Sequence, residues 1–381
     1  MASFPAQLPL PVFHSPLTLL HNPPHEILSG ALQPYIESPE RVNHILASLL
    51  REGQTCFEGH DPGWTKGDVV TPELLEAVRA VHEEEYVEFL SSIYQEWTAE
   101  GGSKDAALPE TFLRSDLLLE PSEDRKELSR GSAIARVGRH SFDLSAPITS
   151  VTETYLSALA SARLALAALS HLVSTSGLRG SFALCRPPGH HSTPTLCGGY
   201  CFLNNAAIAA RFFQSSLASS STGGKAKVAI LDIDYHHGNG TSKVFYNDPS
   251  VLYVSLHAEG DYPWYTGSTA ERGGLNARAQ NRNFPLPLGT GERVYLRTLQ
   301  QAVHGIQEWQ PDLMIVSLGV DTYIGDPLTD FKLTLDAYPR IGQVLSSAGV
   351  HKTLFVMEGG YCLEAIGDCV KGVLEGFRGG D

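Results

Sequence analysis

The 381 residues allow one large α/β domain or two smaller ones. Hydrophobic content of 42% supports a sizeable core, and charged content of 18% excludes a disordered chain. A net charge of −14 argues against direct binding of nucleic-acid phosphates and suits a cationic substrate.

Residues 1–34 are rich in Pro and His and start no clear element. Ser38 is a good N-cap, Pro39 fits the first helical position, and Val42, Ile45, Leu46, Leu49 and Leu50 keep helical spacing. Thr71-Pro72-Glu73 opens a second helix in the same way, and His82 to Tyr94 reads as a third, with His82 in a packing or capping role. From Gly101 to Thr149 the pattern weakens into a long insertion of the functional or interface type. Thr152 to Leu172 is an Ala- and Leu-rich helix, Ser181 to Cys185 a short strand, and Leu203 to Phe213 a helix. The Ser-rich stretch Gln214 to Gly224 reads as a surface loop, not a domain boundary.

Strands follow at Val228 to Leu231, Val251 to Leu256, Leu313 to Leu318 and Thr353 to Met357. Between them lie a loop from His257 to Asn283 and helices at Tyr295 to Trp309, Thr334 to Leu345 and Leu363 to Phe377. Such alternation predicts one α/β domain spanning 1–381, its core at about 38–378, around a mostly parallel sheet with helices on both faces. Six cysteines without a completing Cys or His pair read as free thiols in a reducing compartment. No Lys or Arg precedes Arg41, and no apolar run approaches membrane-spanning length. The expectation is a soluble intracellular protein, cytoplasmic or nuclear, without a membrane partner.

Four strand ends carry polar clusters: His190-His191, Asp232 to His237, Asp321, and Tyr361 beside Glu358. Ligands bind outside the carboxyl ends of such strands. In an extended chain Asp232, Asp234 and His236 share a face, and buried charges there need partners or a metal. Asp234, His236 and Asp321 make three ligands with an open position, the pattern of a catalytic zinc site. A metal there lowers the pKa of a water and polarises a carbonyl. His190 and His191 can move the proton, with Asp232 and Asn239 as orienting partners, and Tyr361 can stabilise an oxyanion. Together these read as metal-assisted amide hydrolysis.

RPPGHH (Arg186 to His191), GGYCFLNNAA (Gly198 to Ala207), LDIDYHHGNGT (Leu231 to Thr241), VSLHAEGDYPWYTG (Val254 to Gly267), SLGVDTYIGDPLTDFKL (Ser317 to Leu333) and MEGGY (Met357 to Tyr361) resemble the zinc-dependent histone deacetylase family. The likeness is strongest to its class II branch and to bacterial acetylpolyamine amidohydrolases. It implies the arginase-deacetylase fold, with a parallel sheet of about eight strands. By motif position it implies zinc on Asp234, His236 and Asp321, His191 as general base and acid, and His190 as mainly electrostatic. Asp232 matches the partner of the first His, Asn239 the class II counterpart of a class I Asp, and Tyr361 the carbonyl-polarising Tyr. Gly199 and Tyr200 would wall an acyl-lysine tunnel. Structural potassium would use Asp232, Asp234, Ser255 and Leu256, and a second ion would lie near Phe245, Asp248 and Val251.

Tyr200 also reads as core packing, Asp326 and Asp330 as turn formers, and Glu358 as a hydrogen-bonding residue of the surroundings. Trp264 and Tyr265 read as tunnel rim or loop packing. The substrate stays open between acetyl-lysine in histones or other proteins and acetylpolyamines. Leu328, after Asp326-Pro327, stands where the eukaryotic polyamine-specific enzyme carries Glu, which points to acetyl-lysine. The 101–149 insertion implies acids at the tunnel mouth, with Glu110, Asp116 and Asp143 as candidates, and a possible homodimer. An arginase-like ureohydrolase would need a two-manganese cluster with more Asp ligands and would not need Tyr361. A non-enzymatic acetyl-lysine binder would have no need of the complete set.

Overall fold

A computed structural model describes residues 8–114, 131–217 and 225–380. Asp116 and the Ser-rich residues 218–224 lie outside the described residues. Ten strands occur among them: β1 (Leu10–Phe13), β2 (His25–Leu28), β3 (Ala31–Pro34), β4 (Phe57–His60), β5 (Gly180–Ala183), β6 (Val228–Asp232), β7 (Val251–Ala258), β8 (Asn281–Leu286), β9 (Leu313–Leu318) and β10 (Thr353–Met357). Eight form one sheet in the order β4-β1-β5-β10-β9-β6-β7-β8, every pairing parallel. The sheet is the core of a single α/β domain.

Strand alternation sorts the core into two layers. Val228 and Ile230 of β6, Ile315 of β9 and Val356 of β10 join one apolar cluster, with the Leu156–Ser174 and Asn205–Phe212 helices. Ala229 and Leu231, Val316, and Phe355 join the other, with helices Glu40–Leu49, Glu292–Trp309, Ala337–Ser346 and Leu363–Gly379. Strands buried on both faces read as continuous apolar runs, as β6, β9 and β10 do. The stretch Val151–Ser174 is long and apolar enough to cross a membrane, but 72% of its most apolar 18 residues are buried inside the protein. Its apolar surface is accounted for by the core.

Several expectations are corrected. Residues 1–34 do start elements: β1 pairs with β4 and β5 inside the main sheet. Antiparallel β2 and β3 form a hairpin whose turn, Ser29-Gly30, has φ of +50° and +80°. Both values suit a tight hairpin turn, and the Ser-Gly dipeptide is its signal. Pro39, not Ser38, caps the first helix, without a side-chain hydrogen bond. Thr71 does cap the second, accepting from the Leu74 N–H. The 101–149 insertion contains a helix, Ala133–His140, and its ends meet at an Ala107–Ile148 bridge. The loop after β7 ends at β8, which begins at Asn281.

Candidate active site

The four polar clusters follow β5, β10, β9 and β6, which are adjacent in the sheet, so their carboxyl ends open on one place. Asp234, His236 and Asp321 meet there, with ligand atoms all within 4.8 Å of one another. It is the one such group among the described residues. His236 Nδ1 lies 3.2 Å from Asp234 Oδ1 and 3.1 Å from Asp321 Oδ2. Backbone donors aim the carboxylates. Gly359 N–H donates to Asp234 Oδ2 at 2.8 Å, and Tyr235 N–H to Asp321 Oδ1 at 2.9 Å. A side chain at Gly359 would put Cβ 2.6 Å from both Asp234 and Asp321, so only glycine lets this backbone approach the cluster.

The donor set fits a divalent cation. Asp321 Oδ2 is buried with His236 Nδ1 at 3.1 Å and no other partner among the described residues, which leaves acceptor capacity of the kind a metal satisfies. Burial and the neighbouring Asp234 charge raise the Asp321 pKa to about 7. Burial works against charging His236, but hydrogen bonds to Asp234 and Asp321 outweigh it and lift its pKa to about 10. A proton on His236 therefore stands in for the cation between two carboxylates.

Asp232 is not the third ligand on that face. β6 ends at Asp232, strand alternation stops there, and its carboxylate turns to His190 Nδ1 at 3.0 Å and the Tyr253 hydroxyl at 3.0 Å. His191 Nδ1 is 2.7 Å from Asn239 Oδ1. Each histidine thus meets the partner expected for it. Burial opposes a charge on His190, but Asp234 and Asp232 overcome it and hold its pKa well above the ordinary value. Burial, then the His190 and His236 charges, drive His191 the other way. One imidazole is held charged and its neighbour neutral. Glu358 braces the pair: its Oε2 accepts from the N–H groups of Gly189 (2.7 Å) and His190 (3.1 Å).

Above the cluster is a cavity of about 360 Å³ lined by His191, Gly199, Tyr200, His236, Tyr262, Leu328 and Tyr361, among others. The expected wall residues Gly199 and Tyr200, with Leu328, are in that lining. Tyr200 has φ of +64°, a strained conformation for a large side chain, and packs on Tyr35 and Tyr361. Trp264, 62% exposed, is at the rim, whereas Tyr265, 91% exposed, does not line the cavity. Glu110 is exposed and outside the lining, and Asp143 is bonded to Tyr262.

Four contributions were not legible in the motifs. Arg41, fully buried, donates to the carbonyls of Gly360 (2.7 Å) and Glu358 (2.5 Å) and lies 4.9 Å from the centre of the Tyr361 ring. Glu37 pairs with both Arg41 and Arg186. Tyr262 supplies a wall, and the β2–β3 hairpin brings Leu28 and Ser29 to the mouth. Asp326 is likewise more than a turn former: it accepts from the N–H groups of Tyr361 (2.7 Å) and Leu328 (3.0 Å), joining two lining residues. Asp326→Asn loses one charge-assisted bond worth about 1.5 kcal/mol and is expected to cut kcat about tenfold. Metal content, measured by atomic absorption, is expected to stay unchanged.

Comparison with known proteins supports the same picture. Residues 35–377 match the histone deacetylase domain. Acetylpolyamine amidohydrolase 2 of Pseudomonas aeruginosa is 39% identical over 364 residues, covering 94% of this chain and 96% of that one. Histone deacetylase 8 of Arabidopsis thaliana is 38% identical over 228 residues, covering 58% and 59%. The crystal structure of acetylpolyamine aminohydrolase from Burkholderia pseudomallei superposes with a TM-score of 0.83 at 30% identity, covering 97% of this chain and 99% of that one. With a likeness that covers nearly the whole chain, the chain belongs to the histone deacetylase family and is an amidohydrolase.

Proposed function

We propose that the chain is a zinc-dependent deacetylase that hydrolyses the N-acetyl amide of acetylpolyamines. The observation that carries this is the three-ligand cluster at the floor of an aromatic-walled cavity, with His191 and Tyr361 on its sides. Asp234, His236 and Asp321 would hold the ion, and two carboxylates with one imidazole and an open position suit zinc. Bound zinc supplies Lewis acidity towards the amide carbonyl and a water.

The protein's own groups do the rest. Asn239 Oδ1 accepts at His191 Nδ1, which leaves Nε2 as the proton acceptor. Neutral His191 takes a proton from the attacking water and returns it to the departing amine. His190, held charged, favours the negative charge that develops at the acyl carbon's oxygen. Burial keeps the Tyr361 phenol protonated and able to donate to that oxygen.

The same reading assigns structural potassium to Asp232, Asp234, Ser255 and Leu256. Asp232 and Ser255 are in register on β6 and β7, which supports it. The second set, Phe245, Asp248 and Val251, has less support, because Asp248 already pairs with Arg211 and Lys225. Polyamine substrates are supported by near full-length likeness to the amidohydrolases, against 58% coverage for the plant deacetylase. Leu328 in the cavity lining favours a second reading, acetyl-lysine. A homodimer through the 101–149 insertion is part of the proposal, and a monomeric mass in light scattering would count against it.

Rates on zinc-loaded protein separate the substrates. Acetylputrescine and N8-acetylspermidine are expected to exceed an acetyl-lysine peptide in kcat/KM by at least about tenfold, the scale set by pairing a substrate's charge. A faster peptide makes the chain a protein deacetylase in a polyamine-type frame.

A further inference from the structure

Two parts of the cavity wall, from different segments of the chain, are tied to a single carboxylate. Asp143 Oδ2 accepts from the Tyr262 hydroxyl at 2.5 Å and from the Gly199 N–H at 3.4 Å. Its Oδ1 accepts from the Ser145 N–H at 2.9 Å and the Ser145 hydroxyl at 2.7 Å. Ser145 Oγ in turn accepts from the Gly199 N–H at 2.6 Å. Three firm donors and the longer contact from Gly199 take up most of the roughly four acceptor sites of a carboxylate. Asp143 itself is not among the residues that line the cavity.

The parts it joins meet beside the proposed base. A Cβ on Gly199, whose φ is +56°, would come 2.2 Å from the His191 ring and 2.9 Å from the Tyr262 hydroxyl. The Tyr262 ring stands edge-on to His191 (4.9 Å, 84°) and to His236 (5.6 Å, 85°). A phenylalanine would offer the same ring. The buried hydroxyl costs stability unless it is bonded, so its use is in the bond. Tyr262 also belongs to the loop between β7 and β8, while Gly199 follows β5, so the carboxylate links segments that no strand pairing holds together here.

We infer that Asp143 is a positioning residue: it fixes Tyr262 against Gly199 and so sets the cavity's width, which admits an unbranched alkyl chain and rejects one branched beside the amide nitrogen. The rate test rests on the deacetylase reading; the binding test below does not. The variants are Tyr262→Phe, Asp143→Ala and the two combined. The substrates are N-butylacetamide, N-sec-butylacetamide and acetylputrescine. Each single variant is expected to raise the branched-to-straight ratio of kcat/KM about tenfold, the low end of what one methylene decides in a close-fitting pocket. The double variant is expected to go no further, because both changes break one bond. The ratio of acetylputrescine to N-butylacetamide is expected to stay put.

Unmoved branched-to-straight ratios overturn the inference, and so do additive effects. A loss confined to acetylputrescine in Asp143→Ala and absent in Tyr262→Phe also overturns it, since Asp143 would then meet the substrate itself. If wild-type protein hydrolyses no acetyl amide, the deacetylase reading fails and the width is read by binding alone. Calorimetric affinities of zinc-loaded protein for hexanohydroxamate and cyclohexanecarbohydroxamate then decide. The inference predicts that the cyclic ligand gains in both single variants, and an unchanged preference overturns it.

Discussion

Asp321→Asn is expected to abolish metal binding and turnover together, with kcat/KM down at least about a thousandfold once the Lewis acid is lost. Asparagine keeps an oxygen for the Tyr235 N–H and puts an amide nitrogen, which cannot ligate, where Oδ2 stands. Stability should move the opposite way in chelated protein. The raised Asp321 pKa, about 7, means the folded, metal-free state holds a proton the unfolded chain has released. That contribution is present at low pH and is lost as pH rises to about 7. His236, raised to about 10, contributes stability that is fully present below its ordinary value and lost as pH climbs through about 10. Chelated wild-type protein should therefore melt lower at pH 8.5 than at pH 6. Asp321→Asn should melt higher than chelated wild type at pH 8.5 and depend less on pH. Metal displaces both protons, so wild-type affinity should rise with pH and binding should release protons. Calorimetry in buffers of different ionisation enthalpy measures that release. Identical melting profiles for chelated wild type and variant would remove the argument for two carboxylates competing over one cation.

The cluster behind this prediction was legible in sequence because its residues sit where buried strands stop. Val228 to Leu231 announces a strand, and the acids and histidines after it have nowhere to lie but the carboxyl end. What alternation could not reveal is that β6 ends at Asp232, so that Asp234 and His236 turn towards Asp321 while Asp232 turns to His190. The edge of the sheet was harder to read. β1 and β4 are four residues each, and β1 starts in a Pro-rich stretch without a periodic signal. Arg41 lies 317 residues from Glu358 and reads locally as a helix residue; only the packing of the first helix on the last brings it under the Tyr361 loop. Asp143 was legible as an acid near the site. Its partners, Tyr262 at a separation of 119 residues and Gly199 at 56, were not, and they change its role from substrate contact to brace.

Tyr361→Phe is expected to lower kcat by about 10²–10³, the loss of one oxyanion donor or about 2.7–4 kcal/mol, with KM shifted only slightly. The argument depends on the tyrosine being positioned by everything except its hydroxyl. Its N–H is held by Asp326, and the Arg41 guanidinium lies 4.9 Å from the ring centre. The ring also packs 5.6 Å from Tyr200. Phenylalanine keeps each of these contacts, so the wall and the metal ligands should stay in place and only the donor should go. Because burial raises the phenol's pKa well above the ordinary value, the hydroxyl remains a donor across neutral pH, and the rate ratio between wild type and variant should be flat there. Tyr200→Phe provides the contrast: its hydroxyl is bonded to Glu26 at the edge of the site, and its loss should leave kcat within about threefold. A Tyr361→Phe enzyme that keeps its kcat would mean that charge on the acyl oxygen is stabilised elsewhere, with the charged His190 as the remaining group beside the cluster.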